Sequence, residues 1–306
     1  MTPVESQNQP AAPVVSVIIP CYNSARTIRR CLRAILDQRT TVRFDVTVVD
    51  SSTDETPQIV AREFPGVRLV HLDARTFAGA ARNIGVRATE GRFCLMIDSD
   101  CIARPDVIER MLARHDEGTY AAVGGALANG TPRSVSGLIG YLIEFKEFLP
   151  STPRRLVTNA PTAIIAYRRD VIERVGGFDE AMEMSEDLLL NWQLHAAGER
   201  LLFDPLIEVT HLNRTGWREV LGYQVQLGRW SAVARRRGDL PGRVLLDHPS
   251  LIALLPLART ARAAAWLARH DSRLFLLFLL LWPAYLLAAM WWAWGFFREA
   301  IKPSVC

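Results

Sequence analysis

An α/β fold of parallel strands joined by helices, carrying an amphipathic segment and a membrane helix toward its C-terminal end, is what this sequence predicts. Three observations carry the prediction. Short apolar runs alternate with helix-period segments through the first hundred residues, polar and aromatic side chains recur where those runs stop, and a basic stretch leads into an uncharged apolar run of 24 residues, Leu274 to Phe297. Strand–helix–strand alternation implies parallel pairing with right-handed crossovers. At 306 residues the chain can bury a sizeable core, as one large domain or as one domain with an appendage.

Residues 1–13 are polar and proline-rich, lack the apolar core of a secretory signal, and read as a flexible tail. Val14 to Pro20 reads as a buried strand, and Ala25 to Gln38 as a helix with Ile28, Cys31, Leu32, Ile35 and Leu36 on one face. Phe44 to Asp50 is the second strand. Thr56-Pro57 supplies an N-cap and a proline at the first helical position, opening a helix toward Glu63. Val67 to His71 is a third strand, Phe77 to Ala88 a helix, and Phe93 to Asp98 a fourth strand apolar enough to be buried on both faces. Pro105 starts a helix to about Arg114, and after Ala121 to Ala126 the pattern loosens. Gly137–Leu149, Arg168–Val175 and Asp187–Ala197 read as helical, Leu201–Phe203 and Ile207–Thr210 as strands, and Trp217–Arg237 as a long basic helix.

The formal charge of +4 is too small to imply nucleic acid as a partner. Its distribution is more informative, because Leu212 to Arg273 holds 11 Arg against 4 acids, a local balance of +7 just before the apolar run. As a helix, that run would be roughly 36 Å long, enough for a hydrocarbon core of about 30 Å. Trp282, Trp291, Trp292 and Trp294 suit the interfacial belt, and the excess of Arg before the run predicts the cytoplasmic membrane with the α/β part facing the cytoplasm. Leu251 to Arg269, with Arg259, Arg262 and Arg269, reads as an amphipathic segment lying on the membrane. The expected organisation is therefore a tail (1–13), an α/β domain (14–237), a basic membrane-surface segment (238–273), a transmembrane or membrane-embedded helix (274–297) and a tail (298–306). The cysteines Cys21, Cys31, Cys94, Cys101 and Cys306 are odd in number and show no C-x-x-C spacing, which suggests neither a disulfide framework nor a zinc site.

Chemistry concentrates at strand ends, which in open α/β sheets share the ligand-binding edge. Asp98-Ser99-Asp100 closes the fourth strand, and hard cations such as Mg²⁺ or Mn²⁺ often need only one or two carboxylates plus the phosphates of a substrate. Pro20, Tyr22 and Asn23 follow the first strand, and Asp50 and Ser52 follow the second. Asp50 can accept from the imide N–H of a pyrimidine while Tyr22 offers an aromatic face. Gly79-Ala80-Ala81-Arg82-Asn83 combines small residues, which permit close approach to a ligand, with a guanidinium fork suited to phosphate. Ser185-Glu186-Asp187 opens a helix, where the dipole favours ionised carboxylates, so either Asp187 or Glu186 could serve as a base. G-x-G-x-x-G and G-x-x-x-x-G-K-[ST] do not occur at a strand-to-helix turn, which counts against dinucleotide and P-loop chemistry.

Between about Val14 and Arg237 the chain resembles the inverting family 2 glycosyltransferases of GT-A fold. The resemblance rests on Val17-Ile18-Ile19-Pro20-Cys21-Tyr22-Asn23, Val48-Val49-Asp50-Ser51-Ser52-Thr53-Asp54, Gly79-Ala80-Ala81-Arg82-Asn83-Ile84-Gly85, Asp98-Ser99-Asp100, Gly176-Gly177-Phe178-Asp179-Glu180 and Glu186-Asp187. It implies a mixed, mainly parallel sheet flanked by helices. It also implies Asp50 at the base, Asp98 and Asp100 at the ribose and the metal-bound diphosphate, Asp187 as catalytic base, and His211 as a late metal ligand. Gln226-Leu227-Gly228-Arg229-Trp230 is similar to the Q-x-x-R-W of processive synthases in the same family, which would set Arg229 toward the diphosphate and Trp230 toward the acceptor. Those enzymes build a pore from several membrane helices, whereas one clear span is visible here. The expected activity is transfer of one sugar, with inversion and a divalent metal, from a UDP- or GDP-type nucleotide sugar to an acceptor hydroxyl on a membrane lipid or lipid-linked sugar. The rivals are a catalytically silent sugar-nucleotide-binding membrane protein, a nucleotidyltransferase and a nicotinamide-dependent oxidoreductase.

Overall fold

A computed structural model describes residues 12–302. Residues 1–11 of the expected tail, and residues 303–306 with Cys306 among them, lie outside the described residues. The first half alternates strand and helix as expected: β1 (Val15–Cys21), α1 (Ile28–Leu36), β2 (Phe44–Asp50), α2 (Thr56–Glu63), β3 (Arg68–His71), α3 (Ala78–Arg87) and β4 (Phe93–Ile97). There follow β5 (Cys101–Ala103), α4 (Val107–Glu117), β6 (Ala122–Asn129), α5 (Val135–Phe145), β7 (Arg155–Val157), β8 (Ile164–Arg168), α6 (Arg169–Arg174), α7 (Glu186–Ala196) and β9 (Leu201–His211). The C-terminal part is helical, with α8 (Trp217–Arg237), α9 (Val244–Asp247), a 3₁₀ turn at Pro249–Leu254, α10 (Leu255–His270) and α11 (Ser272–Ala300).

All the strands join one sheet in the order β3-β2-β1-β4-β8-β6-β9-β5, with β7 added against β9. β1, β2, β3 and β4 pair in parallel, so the ends carrying Cys21, Asp50 and Ile97 reach the same edge. β8 then enters antiparallel between β4 and β6, which makes the sheet mixed but mainly parallel.

The sequence reading missed β5, β7 and β8. They are three, three and five residues long, too short for alternation to register. It also split β9 in two at Asp204-Pro205. The strand is continuous, but its pairing with β6 jumps from Gly125↔Asp204 to Ala126↔Glu208, a bulge that takes the proline out of the ladder. α5 stops at Phe145 rather than Leu149, and the amphipathic segment begins as the 3₁₀ turn.

The basic helix α8 forms over the expected span, and α11 exceeds the apolar run at both ends, continuing through Pro283. One face of α11 is buried along most of its length, from Phe278 through Tyr285, Ala289, Trp292 and Phe296 to Ala300, against α8, α10 and α5. The contact with α8 is backbone to backbone. A Cβ added at Gly228 would fall 1.9 Å from the carbonyl oxygen of Trp292, and one at Gly295 1.9 Å from that of Val225. The opposite face exposes Leu276, Leu280, Trp282, Met290 and Trp294.

Candidate active site

A cleft of about 1310 Å³ opens over the ends of β1 and β4 and runs toward α8, α10 and α11. Pro20, Tyr22, Asn23, Arg82, Asp98, Asp100, Glu186 and Asp187 all line it.

Strand register assembles its most distinctive corner. After β4 the chain turns on a Cys101 N–H to Asp98 carbonyl bond of 3.0 Å, and β5 then pairs antiparallel with β9, Cys101 opposite His211. Asp100 Oδ1 and His211 Nε2 come within 3.5 Å in this way, although 111 positions separate them. His211 Nδ1 lies 2.8 Å from the amide oxygen of Asn213, whose Nδ2 donates to Asn129 and Thr131. An amide oxygen only accepts, so Nδ1 carries a proton and Nε2 is the ring nitrogen turned toward Asp100. Carboxylate oxygens and an oriented imidazole suit a hard divalent cation of the Mg²⁺ or Mn²⁺ kind. Cys101 Sγ shares the corner, but burial pushes its thiol well up, which disfavours the thiolate a metal would need. Burial raises Asp100 as well, against the opposing pull of His211. A bound dication would reverse that balance.

Arg82 organises the other carboxylates. It is 2% exposed. Its Nη2 donates to Asp98 Oδ1 at 2.7 Å and its Nη1 to Glu186. Both terminal nitrogens of the fork expected to meet phosphate are engaged by carboxylates, and Arg82 itself lines the cleft. Of the small residues around it, Ala81 lines the cleft and Gly79 serves packing. A Cβ at Gly79 would sit 3.1 Å from Glu186 Cγ, so the glycine lets α3 approach the start of α7. Glu186 is buried against Arg82, whereas Asp187 is turned into the cleft and accepts from the Leu188 N–H at 2.7 Å and the Thr162 N–H at 3.4 Å. Burial raises the Asp187 carboxyl above the usual range and Arg82 opposes it.

Two further expectations are corrected. Asp50 is fully buried, with Ser52 Oγ 2.5 Å from Oδ1 and His71 Nδ1 2.7 Å from Oδ2. Neither Asp50 nor Ser52 lines the cleft. Ser52 Oγ also accepts from the Asn23 N–H, and Asn23 Oδ1 accepts from Thr53 and Asp54, so this group clamps the β1 and β2 loops together. Arg229 and Trp230 also miss the cleft. Its α8 wall is the stripe Tyr223, Leu227, Ser231 and Arg235, spaced four apart on one helix face. Arg229 lies two residues from Leu227, on the far side, and pairs with Glu299 of α11 at 3.2 Å. Trp230 is buried with Met182, Leu189 and Leu240.

The sequence reading overlooked Glu144, Arg214, Tyr223 and Arg75. Glu144 is the sole acid in the otherwise apolar α5, and burial pushes its carboxyl up to about 7 against Arg214 and His211. Arg214 stacks on Tyr223 at 3.7 Å, and Arg75 covers Tyr22 at 4.9 Å. A lone acid in an apolar helix was the one available signal.

Residues 16–176, a little over half of the chain, match the family model described as Glycosyl transferase family 2. Among curated proteins, a pre-mycofactocin glycosyltransferase of Mycobacterium tuberculosis is 28% identical over 249 residues, 78% of this chain and 51% of that protein. The succinoglycan biosynthesis protein ExoO of Rhizobium meliloti is 33% identical over 217 residues, 65% of this chain and 61% of its own length. The chain thus spans about half to three-fifths of these relatives. Among solved structures, a mannosyltransferase of Pyrobaculum calidifontis in complex with GDP-Man and Mn²⁺ aligns with TM-score 0.58 at 22% identity, covering 94% of this chain and 86% of that one. Residues 1–349 of S. aureus TarS with UDP-GlcNAc align with TM-score 0.56 at 20% identity, covering 94% and 90%. At such identities the likeness establishes a shared fold, the GT-A type.

Proposed function

Because this chain belongs to glycosyl transferase family 2, we propose that it transfers a single sugar, with inversion, from a nucleotide diphosphate sugar to an acceptor hydroxyl at a membrane surface. The observation that carries this reading is one cleft lined by Asp98 and Asp100 on one side, with His211 3.5 Å from Asp100, and by Asp187 on the other, joined through Arg82. Asp100 and His211, with Asp98 beside them, would hold a divalent cation whose chemistry is to neutralise the departing diphosphate. Asp187 takes the acceptor proton as that oxygen bonds to C1 of the sugar. The bond from C1 to the diphosphate oxygen breaks, and its electron pair leaves with the nucleoside diphosphate. Attack from the face opposite the leaving group inverts C1. Desolvation strengthens Asp187 as a base, and transfer should fall on acidification at a pH above the ordinary aspartate range.

The outward apolar face of α11, together with Leu254 and Leu257 near the start of α10, supports membrane association. Because α8 packs along the C-terminal half of α11 and sets Arg229 and Arg236 on Glu299, we take α11 to lie in the membrane surface rather than to cross it.

Two variants test the chemistry. Asp187→Asn should retain donor binding while transfer falls by about 10²–10⁴-fold or more. Asp100→Ala should abolish Mn²⁺-dependent binding of a nucleoside diphosphate while the fold survives. Near-wild-type transfer by Asp187→Asn would reject it as the base, and wild-type protein that neither transfers nor hydrolyses any nucleotide sugar would reject the enzyme altogether.

A further inference from the structure

Beyond the carboxylates, the cleft continues to a part whose chemistry is the opposite. It is lined by Lys146, Arg155, Arg235 and Arg259, with Glu147 the acid among them, and walled by Leu227, Trp266 and Trp292. These cations are buried or half-buried. Lys146 is 9% exposed, and its ammonium approaches a carboxylate no closer than 3.9 Å, at Glu147. Glu147 is shared, since Arg262 holds the same oxygen at 2.9 Å. The buried Nε of Arg259 has no hydrogen-bond partner among the described residues, and its guanidinium lies over the Trp292 ring at 4.2 Å. Arg155 lies over Trp266 at 5.1 Å and donates to the carbonyls of Pro153 and Glu147, while Arg235 spends two nitrogens on the carbonyls of Pro241 and Ser231 and keeps the third.

Gathering several cations in a desolvated pocket with one shared counter-ion is unfavourable unless an anion completes it. Burial, together with Arg259 and Arg262, brings the Lys146 ammonium down to about 8. Burial and Arg259 bring the Arg235 guanidinium down to about 10. Forked guanidiniums and an ammonium match phosphate oxygens, and the tryptophan and leucine walls match hydrocarbon.

We propose that this part of the cleft binds the phosphate or diphosphate group of an amphiphilic acceptor, its chain passing between α8, α10 and α11. The inference deepens the reading above and rests on it, since it assigns the acceptor class to the same cleft. It also separates two anion sites by chemistry: the nucleotide diphosphate goes with a metal at Asp100 and His211, and the acceptor phosphate goes to bare cations.

The test uses the full chain in nanodiscs of neutral lipid, with EDTA present and inorganic pyrophosphate as the probe. Pyrophosphate should bind, and Arg259→Gln and Lys146→Met should each raise its Kd at least tenfold, while Asp100→Ala should leave it unchanged. A short prenyl diphosphate should bind more tightly than pyrophosphate. Mn²⁺-dependent binding of a nucleoside diphosphate, measured without EDTA, reports whether Arg259→Gln and Lys146→Met are folded, and a cooperative thermal melt matching the wild type reports it for Asp100→Ala. An unchanged Kd in folded Arg259→Gln and Lys146→Met would overturn the proposal. So would loss of pyrophosphate binding in Asp100→Ala, which would put the anion at the donor site. Displacement of the probe by phosphatidylglycerol as effectively as by the prenyl diphosphate would also overturn it, identifying a site for bulk lipid headgroups. Failure of the enzyme reading is a separate result, since wild-type protein could bind pyrophosphate in this pattern and still hydrolyse no nucleotide sugar.

Discussion

Replacing Arg82 by methionine would leave Glu186 buried without its cation and would release Asp98, because one guanidinium serves both carboxylates. Removing one partner of a buried charge pair costs about 3–5 kcal/mol, so Arg82→Met should lower the unfolding free energy read from urea titration by that much. Adding Glu186→Gln should recover part of it, a coupling that a double-mutant cycle measures. Arg82→Lys should not rescue, since one ammonium does not span two carboxylates as the planar fork does. His115 provides a pH test away from the cleft. It packs on Phe93 at 4.4 Å, and burial lowers its pKa to about 4 from the ordinary 6.5. Between those values the unfolded chain binds the proton and the folded one does not, so stability is full above about pH 6.5 and falls as the pH drops toward 4, by about 3 kcal/mol. His115→Gln should flatten that slope in urea titrations. At this scale the sequence named Asp98, Asp100 and Asp187, which line the cleft, because acids at strand ends and helix starts have recognisable settings. It did not foresee that Arg82 pairs with Asp98 and Glu186 or that Asp50 is buried on Ser52 and His71, because the partners of a polar side chain depend on neighbours far along the chain.

At the scale of elements, α8 shows why a motif does not by itself decide a direction. Its boundaries were legible from sequence, but the face it turns to the cleft was not, and Arg235 lines the cleft while Arg229 and Trp230 of the motif do not. What orients the helix is its contact with α11, where Gly228 and Gly295 let the backbones meet. Gly228→Val should push the helices apart and destabilise the protein by at least the 1–3 kcal/mol typical of overpacking. Faster tryptic cleavage around Arg243, next to the short α9, should accompany the loss. Wild-type cleavage kinetics in that variant would mean that the contact is loose. The short strands β5 and β8 carry the complementary lesson. Invisible to periodicity, they nevertheless bring His211 to Asp100 and seat an antiparallel strand beside β4.

For the whole molecule, the C-terminal helices form part of the fold as well as the proposed membrane contact. From sequence alone, a chain cut before Leu274 is expected to leave salt-washed membranes only in part. The structure changes that expectation, because α11 covers apolar surface on α8, α10 and α5 and Trp292 lines the cleft. A chain ending at Asp271 should therefore aggregate or melt well below the full chain in detergent. A monodisperse truncation with unchanged melting would show α11 to be a detachable anchor. The full chain should stay with membranes through a high-salt wash, since the exposed face of α11 is apolar. The sequence by itself determined the α/β class, the order of the first strands and helices, the apolar C-terminal helix and the carboxylates of the cleft, because periodicity, capping and strand-end position are local properties of a chain. Only the tertiary structure decided which side chains pair with one another, which face of α8 meets the cleft and where the buried cations gather. Those are set by strand register and helix packing between residues that the chain holds far apart.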